Sequence, residues 1–259
     1  MIPLANHQLP SLSRWFPAGA AGPAVLPEHV LATGTGAWWA DRATSPRAVA
    51  VSCADHALLR GDPRALTPEC LAPLSGRYIE APDRFLPVLG AAFDRVLPWE
   101  RMLYVHREPA TAARLPRGVR VRRLTPEDAP ALASLPSDTA WIHGTWDGPL
   151  GLASSGLGWA AFHRQEILAV ACTFLLGSAF EDIACVTAPG HRRRHLALAC
   201  VTALCADIAE RGHRASWTCS RDNRPSRLLA WTAGFRLERE YVHYATGRPS
   251  AQNTRRTAA

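Results

Sequence analysis

Lysine is absent: all 29 positions in the Lys+Arg count are arginine. There is no apolar run long enough to span a bilayer and no Cys-x-x-Cys pair or His/Cys cluster at zinc spacing. The N-terminus has no charged stretch leading into an apolar one. These absences argue against a transmembrane helix, a structural zinc and a signal peptide. The seven cysteines, odd in number and scattered, suit a reducing compartment better than a disulfide framework. The expectation is a cytoplasmic protein with no metal and no membrane contact.

What is present is ample for a core: 259 residues, 47% of them hydrophobic, enough for two small domains or one large one. The formal net charge is +7. Two readings of that charge stay open. All-arginine usage follows from a GC-rich coding bias, which also accounts for the alanine and proline load. Alternatively it marks a surface for a polyanion such as RNA, because arginine pairs with phosphate bidentately.

The most informative stretch runs from Glu181 to Tyr244. Ile183 to Thr187 reads as an apolar strand, interrupted by Ala188-Pro189-Gly190. The basic run His191-Arg192-Arg193-Arg194-His195 then opens into a helix. Ala197, Cys200, Val201, Leu204, Cys205 and Ile208 recur there at helical spacing, and Gly212 ends it. A strand (Ala215 to Cys219) follows, then Asp222-Asn223, then a helix with Pro225 in its first turn that ends at Gly234. A strand feeding a turn at a helix N-terminus is an arrangement suited to phosphate.

Elsewhere the signals are plainer. Residues 1–28 read as an irregular lead-in anchored by Trp15-Phe16. Arg47 to Cys53 and Ala57 to Leu59 suggest a hairpin. Thr67 to Leu74 and Ala81 to Leu97 read as helices, Arg77 to Glu80 and Arg101 to His106 as strands, and Arg107 to Gly118 as a linker. Beyond it come a strand at Val119 to Val121, a helix start capped by Thr125, a loop or short helix from Trp141 to Leu152, and strands from Gly156 to Phe162 and Ile167 to Leu176. The tail after Gly247 is expected to be disordered.

Arg192-Arg193-Arg194-His195-Leu196-Ala197, Asn223-Arg224-Pro225-Ser226 and Gly234-Phe235, in that order, resemble the acyl-donor half of the GNAT superfamily of N-acyltransferases. Trp217-Thr218-Cys219 resembles a bacterial subgroup of it. The resemblance implies an α/β (α+β) fold with a mixed central sheet flanked by helices. It also implies a tandem arrangement: a degenerate GNAT-like domain at 1–112, a donor-binding domain at 117–247 and a tail at 248–259. It implies acyl-CoA or acetyl-CoA as co-substrate, with phosphates at Arg192, Arg193, Arg194, His195, Leu196 and Ala197. Cys185, Val186 and Thr187 would hold the carbonyl by their backbone, with Asn223 and Ser226 beside the arm.

For catalysis the resemblance points to Glu181 or Asp182 as base and to Ser226 as a stand-in acid, because the family's tyrosine position falls on Ala230. Trp141, His143 and Asp147 would meet the acceptor, a small-molecule amine. One departure matters. The glycine expected fourth in the donor turn is His195, whose side chain crowds a pyrophosphate. Three readings follow: acyl-CoA held in an adjusted turn; a macromolecular donor, either aminoacyl-tRNA or an acyl carrier protein; or a binding module without catalysis.

Overall fold

A computed structural model describes residues 1–5, 14–110 and 114–249. In chain order these form β1 (Ile2–Pro3), α1 (Leu26–Thr33), β2 (Ala37–Ala40), β3 (Ala48–Cys53), β4 (His56–Gly61), β5 (Tyr78–Glu80), α2 (Leu86–Ala92), β6 (Val96–His106), β7 (Val119–Arg123), α3 (Ala129–Ala133), α4 (Pro149–Ser154), β8 (Gly158–His163), β9 (Glu166–Leu176), β10 (Phe180–Thr187), α5 (Leu196–Glu210), β11 (Arg214–Ser220), α6 (Arg224–Thr232) and β12 (Phe235–Thr246). Among the described residues no helix is long and apolar enough to cross a membrane. The expected tail lies almost wholly outside the described residues.

Two compact units emerge: Met1–Ala18 with Leu26–Arg101 and the chain from Glu240 on, and Gly19–Val25 with Met102–Arg239. This differs from a division within the Arg107 to Gly118 linker. The boundary falls inside β6 and β12, eleven and twelve residues long. A strand long enough to serve two units leaves no mark in composition.

In the first unit the strand order is β1-β2-β3-β4-β5-β12. The β3–β4 hairpin closes at Cys53↔His56, with Ala54 at φ 48 in its turn. Its core gathers Leu59, Leu71, Leu74, Ile79, Phe85 and Leu89. Two expected helices shrink. Pro68–Leu74 is a 3-10 helix with Pro73 inside it, and proline disfavours the α conformation of the residue before it. Of Ala81 to Leu97 only α2 is α-helical, ended by an extended Phe93, and Val96 and Leu97 join β6. The lead-in, read as irregular, contains a 3-10 turn at Gly22–Val25 followed by α1. The parallel β4–β5 ladder ends at Leu58↔Glu80. Past that point Arg60 Nη1 donates to the carbonyls of Leu59 and Glu80, and its guanidinium pairs with the Glu80 carboxylate.

In the second unit the order is β6-β11-β10-β9-β8-β7, antiparallel from β7 to β10 and parallel between β10 and β11. This is the mixed sheet flanked by helices that the resemblance implies. Alternation along the strands sorts side chains by face. Ile183, Cys185, Ala215 and Trp217 pack with α5 and with Ala230 and Ala233. Ala184 and Val186 pack with Leu132, Ile142 and Leu152 on the opposite face. Gly234, at φ +87, lies so close to Glu108 that a Cβ would sit 1.9 Å from its carbonyl oxygen. Only glycine fits there.

Candidate active site

β10 and β11 pair in parallel from Phe180↔Arg214 to Ile183↔Trp217 and no further. Both strands continue, to Thr187 and Ser220. A slot therefore opens between Ala184–Thr187 and Thr218–Ser220. On its other side β10 stays laddered to β9 as far as Thr187↔Ala169, and the Ala188 N–H donates to Leu168 O at 2.9 Å. Alternation back from that bond turns the Cys185 and Thr187 N–H groups toward β11, into the slot. Burial pushes the Cys185 thiol up to about 12, so it stays protonated and is no nucleophile.

The two carboxylates heading β10 face opposite ways. Glu181, fully buried, accepts from Arg211 Nε at 3.0 Å and Nη2 at 2.9 Å. It also meets His213 Nδ1 at 2.9 Å and the Thr173 hydroxyl. Arg211 in turn pairs with buried Asp207 at 2.9 Å, which also holds Arg123. This network ties α5 to the sheet on the face away from Asp182. With its oxygens so engaged, Glu181 reads as structural, against the expectation that it serves as base.

Asp182 lies on the other face, 3% exposed. Ser216 Oγ donates to its Oδ1 at 2.7 Å and Thr218 Oγ1 to its Oδ2 at 3.0 Å. Ser216 is itself held by the Gly22 N–H at 3.1 Å, so the Gly22–Val25 turn roofs this group. Thr218 is half-buried and stands one residue past the last β10–β11 pair, at the base of the slot. The sequence reading passed over Ser216 and Thr218 as functional groups. Their period-2 spacing beside Asp182 was the available signal; the Gly22 contact, 194 positions away, left none.

Where β10 ends, a 3-10 turn (Pro189–His191) leads into α5. Arg193 and His195 take left-handed conformations, φ 60 and 58. Histidine is among the residues that tolerate this region, so a left-handed backbone stands at the position where glycine was expected. His195 is the N-cap and makes no side-chain cap, so the first N–H groups of α5 are left for another acceptor. Arg192, Arg193, Arg194 and His195 are exposed, Leu196 is buried and Ala197 partly so. A helix N-terminus ringed by guanidiniums suits a phosphate.

Across the slot, Asn223 caps α6, its Oδ1 accepting from the Ser226 N–H at 3.1 Å. Ser226 Oγ accepts from Trp217 Nε1 at 3.0 Å, which pins the hydroxyl to the strand. Ala230 is fully buried, so that position offers no acid. On the Asp182 face, a 3-10 helix (Ala140–Trp146) docks on β9 where its pairing with β10 slips beside Asp182 and Ile183. Thr145 Oγ1 donates to Phe174 O at 2.6 Å and Trp146 Nε1 to Thr173 O at 2.7 Å. Trp141 meets Phe174 edge-on at 5.7 Å. Burial pushes the His143 imidazole down. Asp147 is exposed and left-handed, ending the turn. Among the described residues no group of His, Cys, Asp and Glu is placed to hold a metal ion.

The comparisons with known proteins agree with this geometry. The model of the family described as GNAT acetyltransferase matches residues 91–244. An uncharacterized N-acetyltransferase in the mutA 5′ region of Streptomyces virginiae is 62% identical over 214 residues, 82% of this chain and 90% of that protein. A GCN5-related N-acetyltransferase-like protein from Streptococcus suis superposes with TM-score 0.71 at 17% identity, over 93% of this chain and 98% of that one. A tandem GNAT protein from the clavulanic acid biosynthesis pathway gives TM-score 0.61 at 14% identity, over 96% and 98%. With a slot between parted parallel strands, an open helix N-terminus at its mouth and these matches, the chain belongs to the GNAT acetyltransferase family.

Proposed function

We propose that the second unit transfers an acetyl or other small acyl group from a coenzyme A thioester to the amine of a small molecule, directly and without a covalent enzyme intermediate. The supporting observation is the slot itself. It ends at the uncapped N-terminus of α5, so one molecule with a phosphorylated head and a thioester tail spans both. Phosphates lie at the Arg192–Ala197 turn, the arm runs between β10 and β11 against Asn223 and Ser226, and the carbonyl oxygen meets the Cys185 and Thr187 N–H groups. Such a backbone oxyanion site contributes roughly 3 kcal/mol.

Asp182 is the base in this reading, acting through the Thr218 hydroxyl. The hydroxyl takes a proton from the incoming ammonium while passing its own to Asp182 Oδ2. The amine nitrogen then attacks the thioester carbon and gives up its second proton to solvent. The C–S bond breaks with its electron pair on sulfur, and the thiolate takes a proton from solvent, leaving amide and free thiol. Asp182 returns its own proton to solvent through Thr218. No side chain is required as acid, because a thiol with a pKa of about 8.5 leaves readily as thiolate. Ser226 then serves as slot wall rather than acid. Trp141, His143 and Asp147 border the acceptor side, and the turn that carries them is why a small amine is favoured over a protein lysine.

The test is free-thiol release from acetyl-CoA with a panel of small amines. Amine-dependent turnover that falls in Asp182→Asn supports the assignment. Hydrolysis alone, or no turnover with any amine, removes it.

A further inference from the structure

α6 has an outer stripe that the acyl-transfer reading does not use. Arg224, Arg227, Leu228 and Trp231 recur at i, i+3, i+4 and i+7, one face of a helix, and all four are exposed. Leu228 is 64% and Trp231 58% exposed. The helix buries its other side, through Ala230 and Leu229. The stripe begins just past the end of β11, the strand that forms one wall of the slot. Residues 188–195 and 221–227 together hold six arginines, 192–194, 221, 224 and 227, and a single acid, Asp222.

From this surface we infer that the acyl donor arrives on a protein: an acidic carrier domain whose phosphopantetheine arm enters between β10 and β11 while its body docks on the α6 stripe. The inference rests on the acyl-transfer reading above. A phosphopantetheine arm carries one phosphate and the same thioester as coenzyme A, so the chemistry is unchanged: the amine displaces the arm's thiolate. Charge complementarity selects the partner, since a carrier rich in Asp and Glu meets arginines on both turns. Leu228 and Trp231 supply an apolar centre of the kind that carries interface affinity.

Two other occupants fit less well. A second copy of this chain would bring one arginine-rich stripe against another. For a nucleic acid, the Arg236 guanidinium already covers one face of Trp231 at 4.1 Å, and exposed Leu228 at the centre of the stripe offers nothing to a phosphate.

The test compares an acetyl-loaded acidic acyl carrier protein with acetyl-CoA as donor, using the native chain and the double variant Leu228→Ala/Trp231→Ala. Both positions are exposed and lie outside the slot. Expected is turnover with both donors for the native chain, and a loss of at least about tenfold with the carrier alone for the variant. Arg227→Glu should repeat that loss and weaken the salt dependence of carrier binding. Equal carrier turnover by native and variant chains overturns the inference, as does turnover with acetyl-CoA but none with the carrier. A dimer in light scattering that the double variant dissolves, or a short RNA bound through Trp231, also overturns it. Failure with both donors would instead count against the acyl-transfer reading beneath it.

Discussion

Asp182 offers the most discriminating perturbation. Its oxygens accept from Ser216 at 2.7 Å and Thr218 at 3.0 Å, and only Thr218 reaches the slot. Asp182→Asn keeps the shape but leaves one carbonyl oxygen to receive two hydroxyls, one of which must turn. Leaving a buried polar group unsatisfied costs about 1–3 kcal/mol of stability. Losing a positioned base costs about 10²–10⁴ in rate, or roughly 3–5 kcal/mol of barrier. The two effects separate by pH. Without the base, only amine already deprotonated in solution reacts, so the native-to-variant rate ratio should shrink as pH rises from about 7 toward the acceptor's own pKa. Thr218→Val leaves Asp182 with Ser216 and should lose rate with a similar pH trend and little stability. The assay is kcat/KM against pH, beside denaturant midpoints for each variant. A ratio that stays flat across pH, or an Asp182→Asn enzyme with native rates, would refute the relay.

Other expectations follow from the same geometry. Arg211→Met leaves buried Glu181 to His213 and Thr173 and buried Asp207 to Arg123, and should cost about 1–3 kcal/mol in urea unfolding, with Arg211→Lys recovering part of it. His195→Gly relieves a left-handed side chain worth about 1 kcal/mol and clears the mouth of the turn, so acetyl-CoA should bind more tightly by calorimetry, whereas His195→Val should weaken both binding and fold. In the first unit, burial and then the Arg101 charge push the His56 imidazole down to about 4 from 6.5. The unfolded chain therefore takes up a proton that the folded chain refuses. Stability complete above pH 6.5 is lost as pH falls toward 4, by roughly 3 kcal/mol from this group. Denaturant titrations across that range should show a shallower acid limb in His56→Asn.

How much of this was legible beforehand varies by element. The path from β10 through α5 and β11 to α6 could be read because Pro189, Gly212, Asn223, Pro225 and Gly234 punctuate it and α5 keeps one apolar face. Residue types left Glu181 and Asp182 as equal candidates, because they do not show which face of β10 holds the slot. That depends on Arg211 and His213 closing one side and on Gly22 roofing the other, contacts between residues far apart in sequence. The helix over 81–97 was overread because Phe85, Val88, Leu89 and Phe93 keep helical spacing beyond the point where the backbone at Phe93 turns extended. His195 looked like an obstacle since a side chain implies a Cβ; that it adopts a left-handed φ could not be seen in residue types. Thr218 was silent because its meaning lies in where a parallel ladder stops.

The central claim is that the slot between β10 and β11 binds a phosphorylated thioester donor. Isothermal titration of the full chain with acetyl-CoA tests it directly. The account predicts one molecule bound per slot, with affinity lost when Arg192, Arg193 and Arg194 are changed together to glutamate. No heat at millimolar acetyl-CoA, or binding indifferent to those three arginines, would contradict it.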